Sequence, residues 1–219
     1  MPAPAAADNH ASAESKSLHA EVAAIFPPSR RPDSPATASL ITHLTLAPHP
    51  EGGFFRRLHA SSYTTPAPYP STDPATRLAS SSIHYLLTPS CPIGHFHRNR
   101  SLTYHFWHRG RGRYILISES GEVETFVVGG DVAAGERAMW VAKGGRWKCS
   151  FIEESEQSEE GDGNGEGLWI SEVVVPAWEE RDHEFLGLEG LRALVGEEQA
   201  GRWSGFVRGE KTGGGEEGY

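Results

Sequence analysis

Histidine is the side chain whose ordinary pKa lets it give or take a proton near neutral pH, and it is also a common metal ligand. Of the eleven histidines in this chain, His95, His97, His105 and His108 fall within one stretch, GHFHRNRSLTYHFWHRGRG. His95 and His97 form a His-x-His pair. On a strand, residues i and i+2 point to one face, so this spacing predicts two imidazoles converging on one metal ion or one substrate. The competing expectation is that alternating His and aromatic residues simply fill a barrel with satisfied hydrogen bonds. Upstream, Glu51 lies in the turn PHPEGG and Arg56 just beyond it. A carboxylate can accept or donate a proton, while a guanidinium offers a planar fork to a carboxylate, phosphate or sugar hydroxyl. The structural alternative has Glu51 binding the backbone N–H groups of the Gly52-Gly53 turn and Arg56 bracing the fold.

These groups need a scaffold, and the chain reads as strands. Segments Phe54–Ser61, Ser81–Leu87, Leu102–Trp107, Arg113–Ile117, Val123–Val128, Ala138–Ala142, Trp147–Ile152 and Leu168–Val175 are short, β-branched or aromatic, and separated by Gly, Pro or Ser. Such strands with no helices between them indicate an all-β barrel or sandwich. Helical patterns flank them at Ser15–Phe26, Ala36–Leu44 and Glu189–Val195. Parity within Leu102–Trp107 makes His105 the alternative to Tyr104: if Tyr104 and Phe106 face inward, His105 faces out. Thr64–Thr76, with Pro66, Pro68, Pro70 and Pro74, reads as an extended surface connection. HRGRGRY at 108–114 reads as a tight turn whose arginines pair with nearby acids, and GGDVAAGER at 129–137 as another turn.

The chain has 219 residues and a net charge of −9, so it suits one domain and repels phosphate backbones. Nucleic acid is therefore excluded as a partner. No run approaches the length of a membrane span, and the N-terminus lacks the charge and apolar pattern of a secretion signal. With only Cys91 and Cys149, a disulfide framework is excluded and a reducing compartment expected, cytoplasmic or nuclear. Composition divides the chain into an Ala/Ser/Pro-rich arm at 1–35, a core at 36–196 and a tail at 197–219. Glu153, Glu154, Glu156, Glu159, Glu160, Asp162 and Glu166 make 153–167 an acidic insert whose composition predicts flexibility.

LAPHPEGGFFRRLHAS at 46–61, SSIHYLLTPS at 81–90, FHRNRS at 96–101, HRGRGRY, GGDVAAGER and VVVPAWEERDHEFLG at 173–187 follow one another in the order of a known family. Over roughly residues 38–196 the chain resembles the cupin superfamily, in the branch catalogued as a domain of unknown function. That resemblance implies a double-stranded β-helix, or jelly roll, with short flanking helices, commonly dimeric, with a polar pocket inside the barrel. It fixes no reaction, since members of this branch look like sugar epimerases and storage-type cupins. The general cupin pattern places a Glu after His-x-His, but Ser101–Thr103 contains no carboxylate, and Trp147 stands where a second motif supplies a His. A divalent metal held by His95 and His97, completed by His84, His105 or Glu172, is thus one alternative. The leading expectation needs no cofactor: His97 as general base, Tyr85 and Tyr104 as hydroxyl donors, and Glu51, Arg56, His84, His105 and Trp147 around a small polar metabolite. The corresponding functions are an isomerase or epimerase, a binding protein without turnover, or a metal-dependent oxygenase or hydrolase, each as a homodimer.

Overall fold

The computed structural model describes residues 20–68, 76–153 and 166–209. In chain order its strands are β1 Ala47–Pro48, β2 Phe54–Ala60, β3 Thr64–Pro66, β4 Thr76–Leu78, β5 Ser81–Leu87, β6 Ile93–Arg98, β7 Leu102–Gly110, β8 Gly112–Ile117, β9 Val123–Val128, β10 Met139–Ala142, β11 Trp147–Phe151, β12 Leu168–Val175 and β13 Glu184–Phe185. They form a six-stranded sheet in the order β1-β2-β5-β12-β7-β10, a five-stranded sheet in the order β13-β6-β11-β8-β9, and the hairpin β3-β4. All neighbours within the two main sheets run antiparallel. This is the expected jelly roll, and all eight expected strands are present.

Alternation along the strands decides what lies between the sheets. On β8, Tyr114 and Leu116 join Phe126, Val128, Tyr85, Leu87, Trp140, Leu168 and Ile170 in one apolar cluster drawn from both sheets. The intervening Ile115 and Ile117 face the other way, where Phe96, Trp147, Cys149 and Phe151 complete the outer face of the five-stranded sheet. That face is covered by α2 (Leu188–Val195), α3 (Glu197–Arg202) and the short turn Ser204–Phe206, through Leu191, Ala200, Trp203 and Phe206. The expectation that 197–219 is a tail is corrected: as far as residue 209 the chain packs on the sheet, and Trp203 and Phe206 are fully buried. The arm is corrected likewise, since Ile25 is buried in this cluster and Trp203 Nε1 donates to its carbonyl oxygen at 3.2 Å. Residues 1–19, most of the acidic insert and residues 210–219 lie outside the described residues.

Helix α1 (Pro35–Leu44) starts where Ser34 caps the Thr37 N–H and Pro35 needs no hydrogen-bond acceptor. At the two ends of the Thr64–Thr76 connection, β3 pairs with β4. Among the described residues, no helix is long and apolar enough to cross a membrane. The expected arginine turn closes on acids: Arg111 pairs with Glu136 and Glu153, and Arg113 with Glu153 and Glu21. GGDVAAGER forms a single 3-10 turn, Val132–Ala134, capped by Asp131.

Candidate functional site in the barrel interior

Between the sheets the apolar lining is broken by a polar group of side chains. Glu51 enters through the turn before β2, where Gly52 has φ +104°; a Cβ on Gly52 would stand 2.1 Å from the Ile93 carbonyl oxygen, so only glycine lets the turn pack there. The Glu51 carbonyl accepts from the His95 N–H at 2.7 Å, fixing the turn to β6. Its carboxylate lies 3.0 Å from His97 Nε2 and accepts from His183 Nε2 at 2.8 Å, with His49 Nδ1 3.6 Å away. The rings of His97 and His183 stack at 5.3 Å, 18° from parallel. The structural alternative for Glu51 is thereby corrected: its carboxylate serves imidazoles, not the Gly52-Gly53 amides.

His97 shares this interior with Lys148, its register partner on β11. Lys148 Nζ donates to Glu172 at 3.1 Å, and His105 Nε2 lies 3.6 Å from the other Glu172 oxygen. The His105 ring is parallel to Trp140 at 4.8 Å and edge-on to Tyr114 at 5.5 Å. Tyr85 donates to the Gly52 carbonyl at 2.8 Å. Gly94 makes room for it, because a Cβ there would meet the Tyr85 hydroxyl at 2.5 Å and Ser150 Oγ at 2.6 Å.

Burial sets the protonation states. It pushes His97 down to about 4 and His105 down to about 3, each only partly restored by its carboxylate neighbour, so both are neutral imidazoles near pH 7. Burial works against the charge of Glu51, but His97, His49 and the hydrogen bond from His183 outweigh it and hold the carboxyl below its usual range. Glu172 is likewise lowered, Lys148 and His105 overcoming its desolvation. Tyr85 and Tyr114 are raised by burial and stay phenols. His97 Nε2, one ring nitrogen of His105 and Trp140 Nε1 are buried without an aligned hydrogen-bond partner among the described residues, the other His105 nitrogen facing the Trp140 backbone.

The structure brings Glu51, His97, Tyr85, His105 and Glu172 together and sends His95, Tyr104, Arg56, His84 and Trp147 elsewhere. The register between β6 and β11 shifts at Lys148/Ser150, a bulge that breaks period-two alternation, so His95 does not share the face of His97. His95 instead turns its Nδ1 toward the Phe206 carbonyl at 3.3 Å, under the C-terminal segment. Tyr104 lies opposite Val141 and Val173 on the outer face of the six-stranded sheet, which reverses the expected parity and puts His105 inside. Arg56 and His84 are partners across β2 and β5 on that same outer face: Arg56 donates to the Leu44 carbonyl at 3.2 Å, and His84 lies 3.1 Å from Ser171 Oγ. Arg56 therefore braces α1. Trp147 packs in the outer cluster of the five-stranded sheet, with the Arg98 guanidinium 4.3 Å over its ring.

The general cupin ligand set consequently does not assemble: His95 is outside, Ser101–Thr103 offers no carboxylate, and Trp147 faces away. His183, His49, Lys148 and Trp140 were not singled out by the sequence. His183 stands in the closing segment VVVPAWEERDHEFLG with no spacing that ties it to His97. Lys148 could have been found by alternation, since Trp147, Cys149 and Phe151 on one face leave Lys148 and Ser150 on the other.

Known proteins repeat this arrangement of strands. The chain is 40% identical over 177 residues to the uncharacterized protein YML079W of Saccharomyces cerevisiae, covering 77% of this chain and 85% of the yeast protein. It superposes on protein SO0799 of Shewanella oneidensis with a TM-score of 0.63 at 26% identity, covering 82% of this chain and 100% of that one. A hypothetical protein from Leishmania major gives 0.61 at 25% identity, covering 72% and 90%. Residues 38–186, which contain Glu51, His97, Lys148, Glu172 and His183, match the family Cupin_5, described as Cupin superfamily (DUF985), and the chain belongs to that family.

Proposed function

We propose that the protein binds a small polar metabolite between its two sheets and moves a proton on it, as an isomerase or epimerase does. The observation that supports this reading is the set of buried nitrogens on His97, His105 and Trp140 left without an aligned protein partner beside the polar side chains of Glu51, Lys148 and Glu172. A buried polar group without a partner is costly, and a ligand carrying hydroxyl or carbonyl groups would satisfy it. The chemistry is consistent with proton transfer. Neutral imidazoles at His97 and His105 can accept a proton, while the Tyr85 and Tyr114 phenols and the Lys148 ammonium can stabilise a developing oxyanion. The two cysteines are free, which supports a reducing compartment such as the cytoplasm. A homodimer, with the outer face of the six-stranded sheet as its interface, completes the reading.

A thermal-shift screen of sugars, sugar phosphates, nucleotide sugars and small carboxylates checks the binding. The expected hit stabilises the wild type and His95→Ala in a concentration-dependent way, and binds His97→Ala and His105→Gln at least about tenfold more weakly, a loss of about 1.4 kcal/mol. Wild-type affinity in both interior variants would remove the assignment. Incubating the hit with protein in D2O then separates turnover from binding: an isomerase exchanges a carbon-bound proton, whereas a binding protein leaves it in place.

A further inference from the structure

Glu51, His97 and His183 each offer one ligand atom, and these atoms lie within 4.8 Å of one another. They come from three separate places: the turn before β2, strand β6, and the residue preceding β13. Both imidazoles present Nε2 to the same carboxylate, His97 to Oε2 at 3.0 Å and His183 to Oε1 at 2.8 Å.

The His97 ring has its tautomer set from outside the cluster. Its Nδ1 lies 2.8 Å from the His95 carbonyl oxygen, which can only accept, so Nδ1 carries the proton. In the neutral ring Nε2 then holds a lone pair, and it faces a carboxylate oxygen, also an acceptor, 3.0 Å away without hydrogen-bond alignment. Two acceptors confronted at that distance in a buried place repel each other unless an electropositive centre lies between them. A backbone carbonyl receiving the far N–H of a histidine is also the usual orienting contact behind a metal-bound imidazole.

The charges agree. Lys148, the ammonium group of this interior, is hydrogen-bonded to Glu172, leaving Glu51 faced by imidazoles. His49 is not a fourth donor in this arrangement, because its Nδ1 accepts the Glu51 backbone N–H at 3.1 Å. His183 is held in place by its neighbour Asp182, which is buried and paired with Arg77 on β4.

We propose that Glu51, His97 and His183 form a binding site for a divalent transition-metal ion. Two imidazoles and one carboxylate suit Zn²⁺ or Co²⁺, with the cation displacing the proton that His183 Nε2 donates to Glu51 so that this ring binds as its Nδ1–H tautomer, and three protein ligands leave a coordination position open to water or to an oxygen of a bound metabolite. The set differs from the His-x-His arrangement in excluding His95 and recruiting the closing segment. With a cation bound, His97 serves as its ligand and His105 remains the neutral imidazole for proton transfer. The site does not depend on any metabolite being bound, and its test uses none.

Full-length protein without a histidine tag, stripped with a chelator and dialysed, is titrated with Co²⁺ and followed by its visible d–d absorption and by calorimetry. The expected result is one Co²⁺ per chain in the wild type. Loss of an orienting partner already weakens metal binding about 10–100-fold, so loss of a ligand in Glu51→Gln or His183→Ala should weaken it at least about 100-fold. His95→Ala, whose side chain points to Phe206, should bind as the wild type does. Circular dichroism and melting of the stripped variants show that they are folded, and the wild-type stoichiometry tests the site even if a variant is not. Absence of saturable uptake by the wild type overturns the proposal. So does uptake that survives both Glu51→Gln and His183→Ala, which would be adventitious binding by surface histidines, and so does uptake lost in His95→Ala.

Discussion

Each buried histidine in this barrel is bound to the cost of charging it. His105 is fully buried, and desolvation lowers it from 6.5 in the unfolded chain to about 3, against the pull of Glu172. Between those values the unfolded state takes up a proton that the folded state refuses, so the stability from neutral His105 is complete above pH 6.5 and is lost as pH falls toward 3. The slope is at most about 1.4 kcal/mol per pH unit for one group. His97, lowered to about 4, adds a parallel loss over the upper part of the same window. Urea denaturation from pH 7.5 to 4.5 should show stability falling with acid, and His105→Gln should flatten that fall while leaving the part due to His97. An unchanged slope in His105→Gln would mean that the ring is protonated in the folded state. At this scale the sequence was informative about which histidine faces the interior: FHRNRS, with His97 inside it and His95 outside, belongs to the motif, and the structure puts the two rings on opposite sides of the sheet.

What separates those rings is a property of paired strands. Alternation within Leu102–Trp107 defined two sets of residues but not which set faces the interior, and pairing made the choice. β7 lies opposite β12, where Glu172 and Val174 are inside, so His105 and Thr103 are inside with them. Likewise, nothing in Ile93–Arg98 announces the bulge that turns His95 away, because a bulge is defined by the partner strand β11. Eight of the nine strands of four or more residues were legible because their apolar periodicity is local, and the ninth, β6, is the one whose alternation the bulge breaks. β13, two residues long, exists only through its pairing with β6, and with it the position of His183 was hidden. A buried clamp holds that closing segment: Arg77 on β4 pairs with Asp182 and with Glu179, and the Arg77 and Asp182 side chains are 0% and 1% exposed. Removing Arg77 leaves buried Asp182 with the longer contact to Arg100 at 3.8 Å, and loss of one partner of a buried ion pair costs about 3–5 kcal/mol. Arg77→Met should therefore lower the unfolding free energy by that amount in chemical denaturation, and release His183 from Glu51. A loss below about 1 kcal/mol, the size of an exposed pair, would show that the clamp does not hold the segment.

At the scale of the whole molecule the two sheets are treated unequally. The outer face of the five-stranded sheet is covered by α2, α3 and Ile25, whereas among the described residues the outer face of the six-stranded sheet carries exposed Met139, Val141, Phe106 and Val175. Register lines these up in rows, Met139 beside Phe106 and Ser171, and Val141 beside Tyr104 and Val173. Contiguous apolar rows on a sheet face mark an interaction site more often than scattered apolar residues do. In the proposed homodimer a second copy of the chain would take this face, because a two-fold axis through it would set the same rows against each other. Sedimentation of the wild type at tens of micromolar, an order of magnitude suited to a specific interface, should give a dimer of this 23.8 kDa chain. The double variant Phe106→Glu, Val141→Glu should be monomeric: the two-fold doubles every substitution, so two new carboxylates per chain become four like charges in one buried patch, each costly to desolvate. Because both side chains point away from Glu51, His97 and Lys148, the variant should keep its interior ligand binding. A monomeric wild type would remove the dimer, and a double variant that remains dimeric would move the interface to another face.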